Sequence, residues 1–278
     1  MKNEYKRVLT IQDISCVGQC SLTVALPILS ACGMETVILP SAVLSTHTGG
    51  FKNFHVKDLT DEIPAIKDHW ISEGISFDAI YTGYLGSTKQ IGYVKDIFSQ
   101  FRNDGCIVAV DPAMADNGVL YYGFDDEYVR QMRTLCTDAD YILPNITEAC
   151  FLTGTEYRET YDKEYIDMLL ERLSVLKCKN IILTGVSYSE DSTGVLVASG
   201  TEIKYYRHDR ISRGCHGTGD IFASAFVGAI MHGKNAYDSA KIAADYTVGC
   251  IRYTQDYPDH WYGAMFEPVL GDLIKALD

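Results

Sequence analysis

From end to end, short apolar runs rich in β-branched residues alternate with segments of helical periodicity. "RVLTIQD" (7–13), "ETVILPSAVL" (35–44), "FDAIYTGYLG" (77–86), "CIVAVDP" (106–112), "DYILPN" (140–145) and "KNIILTG" (179–185) read as strands. Helical spacing covers 21–33, 59–74, 90–105, 125–139, 146–154 and 162–178, with Gly33 and Gly154 as stops and Pro64 near a first turn. "TGVLVAS" (193–199) and "TEIKYYRH" (201–208), joined at Gly200, predict a β-hairpin, and three helices come after it. Strands alternating with helices imply parallel β-α-β units, hence an α/β fold built as a three-layer α/β/α sandwich on a mostly parallel central sheet. The strand runs are continuously apolar, as a sheet covered on both faces requires. No linker, low-complexity tract or internal repeat interrupts the pattern, so residues 1–278 are expected to form one domain.

Bulk composition excludes several classes. The chain is 47% hydrophobic and 22% charged, an ordinary globular balance. No apolar run approaches the roughly 20 residues of a membrane span. "MKNEYKRVLTIQD" lacks the apolar stretch of a secretory signal, so a cytoplasmic protein with no membrane partner is expected. Twenty-four basic against 37 acidic residues give −13, which argues against nucleic acid as a partner. A small anion can still be held locally by backbone N–H groups. The nine cysteines include no C-x-x-C pair, and in a cytosolic chain they are expected to be thiols, mostly buried.

"GCHGTGDIFASAF" (214–226) concentrates glycine directly before a helical pattern. Glycine inside a helix costs about 1 kcal/mol relative to alanine, so Gly217 and Gly219 should lie before or within the first turn. Gly219 in particular is expected to allow close backbone approach or a positive φ. A helix N-terminus offers unpaired N–H groups and partial positive charge, which suits phosphate. Asp220 is the anomaly, because a carboxylate there would repel that anion.

Ligands of open α/β sheets sit beyond the carboxyl ends of the strands. At those ends stand Asp13, then "STHTGG" with His47 and Thr48, "GYLGS" with Tyr84 and Ser87, and "DPAMADNG" with Asp111 and Asp116. "PNITE" with Asn145 and Glu148, and Thr184 with Gly185, complete the set. Singly, each has a structural explanation as a turn starter or helix cap. Together they place polar and acidic groups along one edge of an apolar sheet. Phosphoryl transfer accounts for the set: Gly217, Thr218 and Gly219 as the anion cradle, and Asp111, Asp116, Asn145 and Glu148 as oxygen donors suited to Mg2+ and its waters. Asp220 would then be the base that takes the proton of an attacking hydroxyl. Neither the P-loop pattern nor the protein-kinase glycine loop occurs.

"GTGD" before a helix, "DPAMADNG", "PNITEACFLTG", "GYLGS", "TIQD" and "STHTGG" together resemble the ribokinase superfamily, and within it the pyridoxal (vitamin B6) kinases, through nearly the whole chain. The resemblance implies a ribokinase-like sandwich with no separate lid domain. It implies ATP-dependent phosphorylation of the 5′-hydroxymethyl group of pyridoxal, pyridoxine or pyridoxamine. It also implies a homodimer, Mg2+ and often a monovalent cation such as K+. Carried over by position, Asp220 is the base, and Gly217 to Gly219 form the anion hole. Asp111, Asp116, Asn145 and Glu148 surround Mg2+ and the phosphates, with Asp116 and Glu148 nearest the metal. Thr184 and Gly185 contact ATP; Thr48 and Tyr84 line the ring pocket with Asp13 and His47. Cys215 and His216, beside the cradle, are candidate substrate contacts or simply shape the loop.

Three departures bear on the preferred vitamer rather than on the reaction class. Asp13-Ile14 stands where the family has Ser-His, Ala115 where it usually has glycine, and Leu143 where some members have threonine. Asp13 is either a loop residue or a carboxylate that pairs with the ammonium of pyridoxamine. Two other readings remain open: a hydroxymethylpyrimidine or other small-molecule kinase of the superfamily, and a non-catalytic ligand-binding protein on the same fold.

Overall fold

The computed structural model describes residues 5–211 and 214–278. Residues 1–4, part of the N-terminal stretch read for a signal, and residues 212–213 lie outside the described residues.

The alternating pattern folds as β1 (Arg7–Ser15), α1 (Leu22–Ala31), β2 (Glu35–Leu44), β3 (Val56–Asp58), α2 (Ile63–Ser72), β4 (Ala79–Thr82), α3 (Thr88–Phe101) and β5 (Ile107–Val110). Next come β6 (Ala115–Asp116), β7 (Val119–Leu120), α4 (Asp126–Cys136), β8 (Tyr141–Ile142), α5 (Ile146–Thr153) and α6 (Lys163–Ser174). The chain closes with β9 (Asn180–Ser189), β10 (Ser192–Ser199), β11 (Glu202–Asp209), α7 (Thr218–Met231), α8 (Ala236–Gln255) and α9 (Leu270–Leu277).

Nine strands form one sheet in the order β11-β10-β9-β8-β5-β4-β1-β2-β3. The six from β9 to β2 are parallel; β3 at one edge and the β10–β11 hairpin at the other are antiparallel. Strand side chains alternate between two apolar cores. Leu9, Ile80, Val108 and Ile181 join α2 to α6 on one face, while Val8, Tyr81, Ala109 and Ile182 join α1, α7, α8 and α9 on the other. Both faces being covered, a polar–apolar alternation would bury polar groups, which is why the strands read as unbroken apolar runs. Fully burying a side chain such as Leu9 or Ile80 contributes about 1.5–3 kcal/mol.

Two strand pairings escape the sequence reading. β3 is three residues long and exposed, and it pairs only with the end of β2. Across the end of "DPAMADNG" and the two residues after it, where the sequence pattern predicts no strand, β6 and β7 form a small hairpin. Asn117 and Gly118 both take positive φ at its tip, 50° and 79°. Asn-Gly between short runs is the signal for such a turn.

Candidate active site

Each parallel strand ends at the same edge of the sheet, and α7 starts there. Its N-cap, Gly217, has φ 75° and ψ 3°, and a Cβ at this position would run into the Gln19 carbonyl. Only glycine fits. Thr218 Oγ1 donates to Cys215 O at 3.4 Å, tying the loop to the first turn. The leading N–H groups of a helix have no intrahelical acceptor, and Gly219 beside them is exposed. A side chain at Gly219 would meet nothing within 4 Å, and its φ is helical. The left-handed geometry expected at Gly219 is therefore carried by Gly217, because the chain must reverse before the helix and not within it.

Asp220, in that first turn, is half-buried. Burial pushes its carboxyl up to about 7, with Asp13 adding to the rise and the Ser21 backbone N–H opposing it. Ser21, at the N-cap of α1, has φ 55° and ψ −131°, a conformation costly for a residue with a side chain. The strain serves two carboxylates at once: its N–H faces Asp220 and its hydroxyl faces Asp13. Cys20 lies close to both acids, and burial first, then Asp220 and Asp13, push its thiol well up.

Asp13 sits at an irregularity of the β1–β2 ladder between Gln12 and Ile14, close enough to Cys20, Tyr84 and Asp220 to raise all three. It is buried, accepts a hydrogen bond from Ser15 Oγ at 3.0 Å, and is raised by burial above the usual carboxylate range. His47 is buried too. Its Nδ1 accepts from the Gly49 N–H at 3.0 Å, so Nε2 carries the proton and donates to Tyr262 O at 2.7 Å. With both nitrogens engaged and burial lowering its pKa, His47 is a neutral ring that shapes the pocket wall. Thr48 is exposed on the same loop. Tyr84 stacks on Phe124 at 5.5 Å, and burial and Asp13 raise its phenol. Ser87 caps α3, accepting from the Gln90 N–H at 3.3 Å. Cys215 is half-buried, and the His216 ring lies 5.1 Å from that of His47.

The remaining acids gather on the other side of Asp220. Asp111, buried at the end of β5, is pushed well above the carboxylate range by burial and by Asp220. Glu148 is buried and likewise raised, by burial and Asp111, but it accepts the N–H groups of Asn145 at 2.8 Å and Met114 at 3.2 Å, and that of Ala115. It therefore anchors the β6–β7 turn to α5, completing a capping box with Asn145. Thr147 supports the same turn, its Oγ1 accepting from Gly118 N–H at 3.1 Å. Asp116 is exposed and accepts from the Asn117 N–H at 2.9 Å. Tyr121 links the group: after burial, Glu148, Asp116, Asp111 and Asp220 all push its phenol upward. Sequence reasoning missed Ser21 and Tyr121: Ser21 stands before α1, and Tyr121 follows β7, a two-residue strand too short for periodicity to reveal.

Asp116, Asn145, Thr184 and Gly185 line one cavity of about 530 Å3, with Tyr157, Arg210 and Val248 among its other walls. Thr184 is placed there by its own N–H, which donates to Pro144 O at 3.0 Å. Tested as a Mg2+ site, these acids fit in one respect. Mg2+ takes one or two carboxylates and completes its shell with water and phosphate, and Asp111 and Asp116 offer that many. Among the described residues no group of three His, Cys, Asp or Glu is placed to hold a metal. No helix among the described residues is long and apolar enough to cross a membrane. No cysteine among them is in a disulfide, and six of the nine are buried.

Residues 26–265 match the phosphomethylpyrimidine kinase family. A phosphomethylpyrimidine kinase candidate from Bacteroides thetaiotaomicron, in a crystal form with pyridoxal, is 37% identical. It aligns over 97% of this chain and 96% of its own with a TM-score of 0.91. The pyridoxal kinase of Lactobacillus plantarum is 31% identical over 97% of each chain, with a TM-score of 0.90. The pyridoxal kinase of Dictyostelium discoideum is 25% identical over 240 residues, 80% of this chain and 77% of the relative.

Proposed function

Because the chain belongs to the phosphomethylpyrimidine kinase family, we propose that it uses ATP to phosphorylate the 5′-hydroxymethyl group of pyridoxal, pyridoxine or pyridoxamine. The observation that carries this reading is Asp220: a half-buried carboxyl raised to about 7, in the first turn of a helix that opens at the sheet edge. A base of that strength takes a proton from a hydroxyl near neutral pH. The adjacent N–H groups meet the charge on the transferring phosphoryl group, which they stabilise most as the transition state forms. A base thus belongs beside an anion cradle when the nucleophile must lose a proton while attacking phosphorus.

The cavity at Asn145, Thr184 and Gly185 is the proposed nucleotide site. Mg2+ would be held by Asp116 and Asp111 together with the nucleotide and would neutralise charge between its phosphates. Glu148 serves by fixing the turn that presents Asp116. On the acceptor side, Asp13, Tyr84, Thr48, Cys215 and the His47 wall surround the ring. Likeness to a protein crystallised with pyridoxal and to the Lactobacillus plantarum enzyme supports a B6 vitamer. The family match itself favours a second acceptor, hydroxymethylpyrimidine. Both are hydroxymethyl groups on flat nitrogen heterocycles, so one site chemistry serves either.

The test is ADP release by the purified chain with ATP and Mg2+ against the three B6 vitamers and hydroxymethylpyrimidine. Turnover with a vitamer is the expected result; ADP release with none of the four removes the reading. Asp13→Ser, run on the same panel, is expected to lower kcat/KM for pyridoxamine more than for pyridoxal, since specificity is a difference of affinities. An unchanged ratio leaves Asp13 a loop residue.

A further inference from the structure

One segment outside every strand end touches three of the acceptor-side loops. His260 Nε2 and Gln19 Oε1 are 2.8 Å apart, the Tyr262 carbonyl accepts the His47 Nε2–H at 2.7 Å, and the Ala264 N–H donates to His216 O at 3.2 Å. Residues 260–264 therefore tie the loop after β1, the "STHTGG" loop and the loop before α7 into one unit.

These hydrogen bonds explain the placement of the segment but not Trp261. Its indole rests on Phe51, ring centres 4.7 Å apart at 46°, and covers Gly50, where a Cβ would lie 2.8 Å from Cζ3. It is nonetheless 48% exposed. From Trp261 a row of rings runs toward the cradle: Phe51 lies 5.0 Å from His47, and His47 lies 5.1 Å from His216, the neighbour of the cradle glycine Gly217. An amphipathic ring left half in water at the end of such a row keeps apolar surface available to a flat ligand. Indole prefers an offset or edge-on aromatic partner on that surface.

We propose that Trp261, backed by Phe51, binds the ring of the acceptor substrate, so that residues 260–264 set ring specificity together with the strand-end residues. The proposal rests on the functional reading above, that the acceptor is a flat heterocycle. Gly50 fits this role, because a side chain there would displace the indole from Phe51.

The chain contains two tryptophans. Trp70 packs against Phe77 and Phe101 on the opposite face of the sheet, so Trp70→Phe leaves emission from Trp261 alone. Titrating that variant with pyridoxine in the absence of ATP is expected to change the emission saturably, and Trp261→Phe in the otherwise native chain is expected to abolish the change. In kinetics, Trp261→Ala should raise KM for the ring substrate about tenfold, roughly one aromatic contact, with kcat and the KM for ATP within about twofold of the parent. Trp261→Phe should recover most of the lost affinity. An unchanged ring KM in Trp261→Ala, or silent emission in Trp70→Phe while the parent phosphorylates pyridoxine, overturns the assignment. A parent that phosphorylates no ring alcohol overturns the functional reading and the assignment with it, a result visible before any variant is made.

Discussion

At the scale of single residues, the site is a problem of holding acids close together. Asp13, Asp111 and Asp220 all stand above the normal carboxylate range, each chiefly through burial. A proton acceptor near 7 is useful only when ionised, so kcat/KM is expected to fall as pH drops through about 7, with a flat region above. Asp220→Asn keeps the shape and removes the acceptor. Turnover should fall about 10²–10⁴-fold, with ATP binding measured by calorimetry nearly unchanged; parental turnover in that variant would take Asp220 out of its role. Asp220 was legible in the sequence because an acid after glycine at a helix start is chemically odd. Ser21 was not, since a serine before a helix looks like an ordinary cap. Its strained backbone and its two acid partners emerge only when β1, α1 and α7 meet.

At the scale of elements, the anion cradle depends on how α7 begins. Gly217 has a left-handed φ and no room for a Cβ beside the Gln19 carbonyl. Alanine there costs about 1–2 kcal/mol for the backbone conformation alone, and the clash adds to it. Gly217→Ala should therefore lower Tm by several degrees and weaken ATP binding in the folded fraction. Gly219→Ala, with open space around it, should leave Tm nearly unchanged. Equal Tm values for the two variants would contradict the assignment of Gly217 as the strict glycine. The β6–β7 hairpin shows a different kind of legibility: the Asn-Gly tip was in the sequence, but the flanking strands have two residues each. Such strands are too short for periodicity to reveal, and Glu148 and Thr147 hold the turn from α5.

At the scale of the whole molecule, the raised acids tie stability to pH. A carboxyl whose folded pKa exceeds its unfolded value near 4 binds its proton more tightly in the folded state. Stability is then greatest at low pH and is lost as pH rises, for Asp220 across the window from about 4 to about 7. The ligand-free protein is expected to show a higher Tm at pH 6 than at pH 8. Asp220→Asn should be more stable than the parent at pH 8, with the gap narrowing toward pH 5. Scanning calorimetry at three pH values decides this, and a gap that widens on acidification would show that Asp220 is not held above its normal range. Exposed pairs such as Lys89–Asp61 contribute little to this balance because solvent screens them.

The sequence by itself determined the layer order and the chemistry on offer. Apolar runs with no polar alternation require a sheet covered on both faces, and the glycine-rich start of α7 with its acid reads locally because helix termini and backbone conformation are local physics. The residues that follow each strand placed Asp111, Asp116, Asn145 and Thr184 along one edge, because the strands run parallel. Only the tertiary structure decided which side chains meet. The meeting of Asp13 with Asp220, the shared service of Ser21 and the reach of residues 260–264 to His47 all join positions far apart in the chain. Strand order and crossovers are set by the packing of two cores. Spacing within any one segment carries no record of the partner it will find.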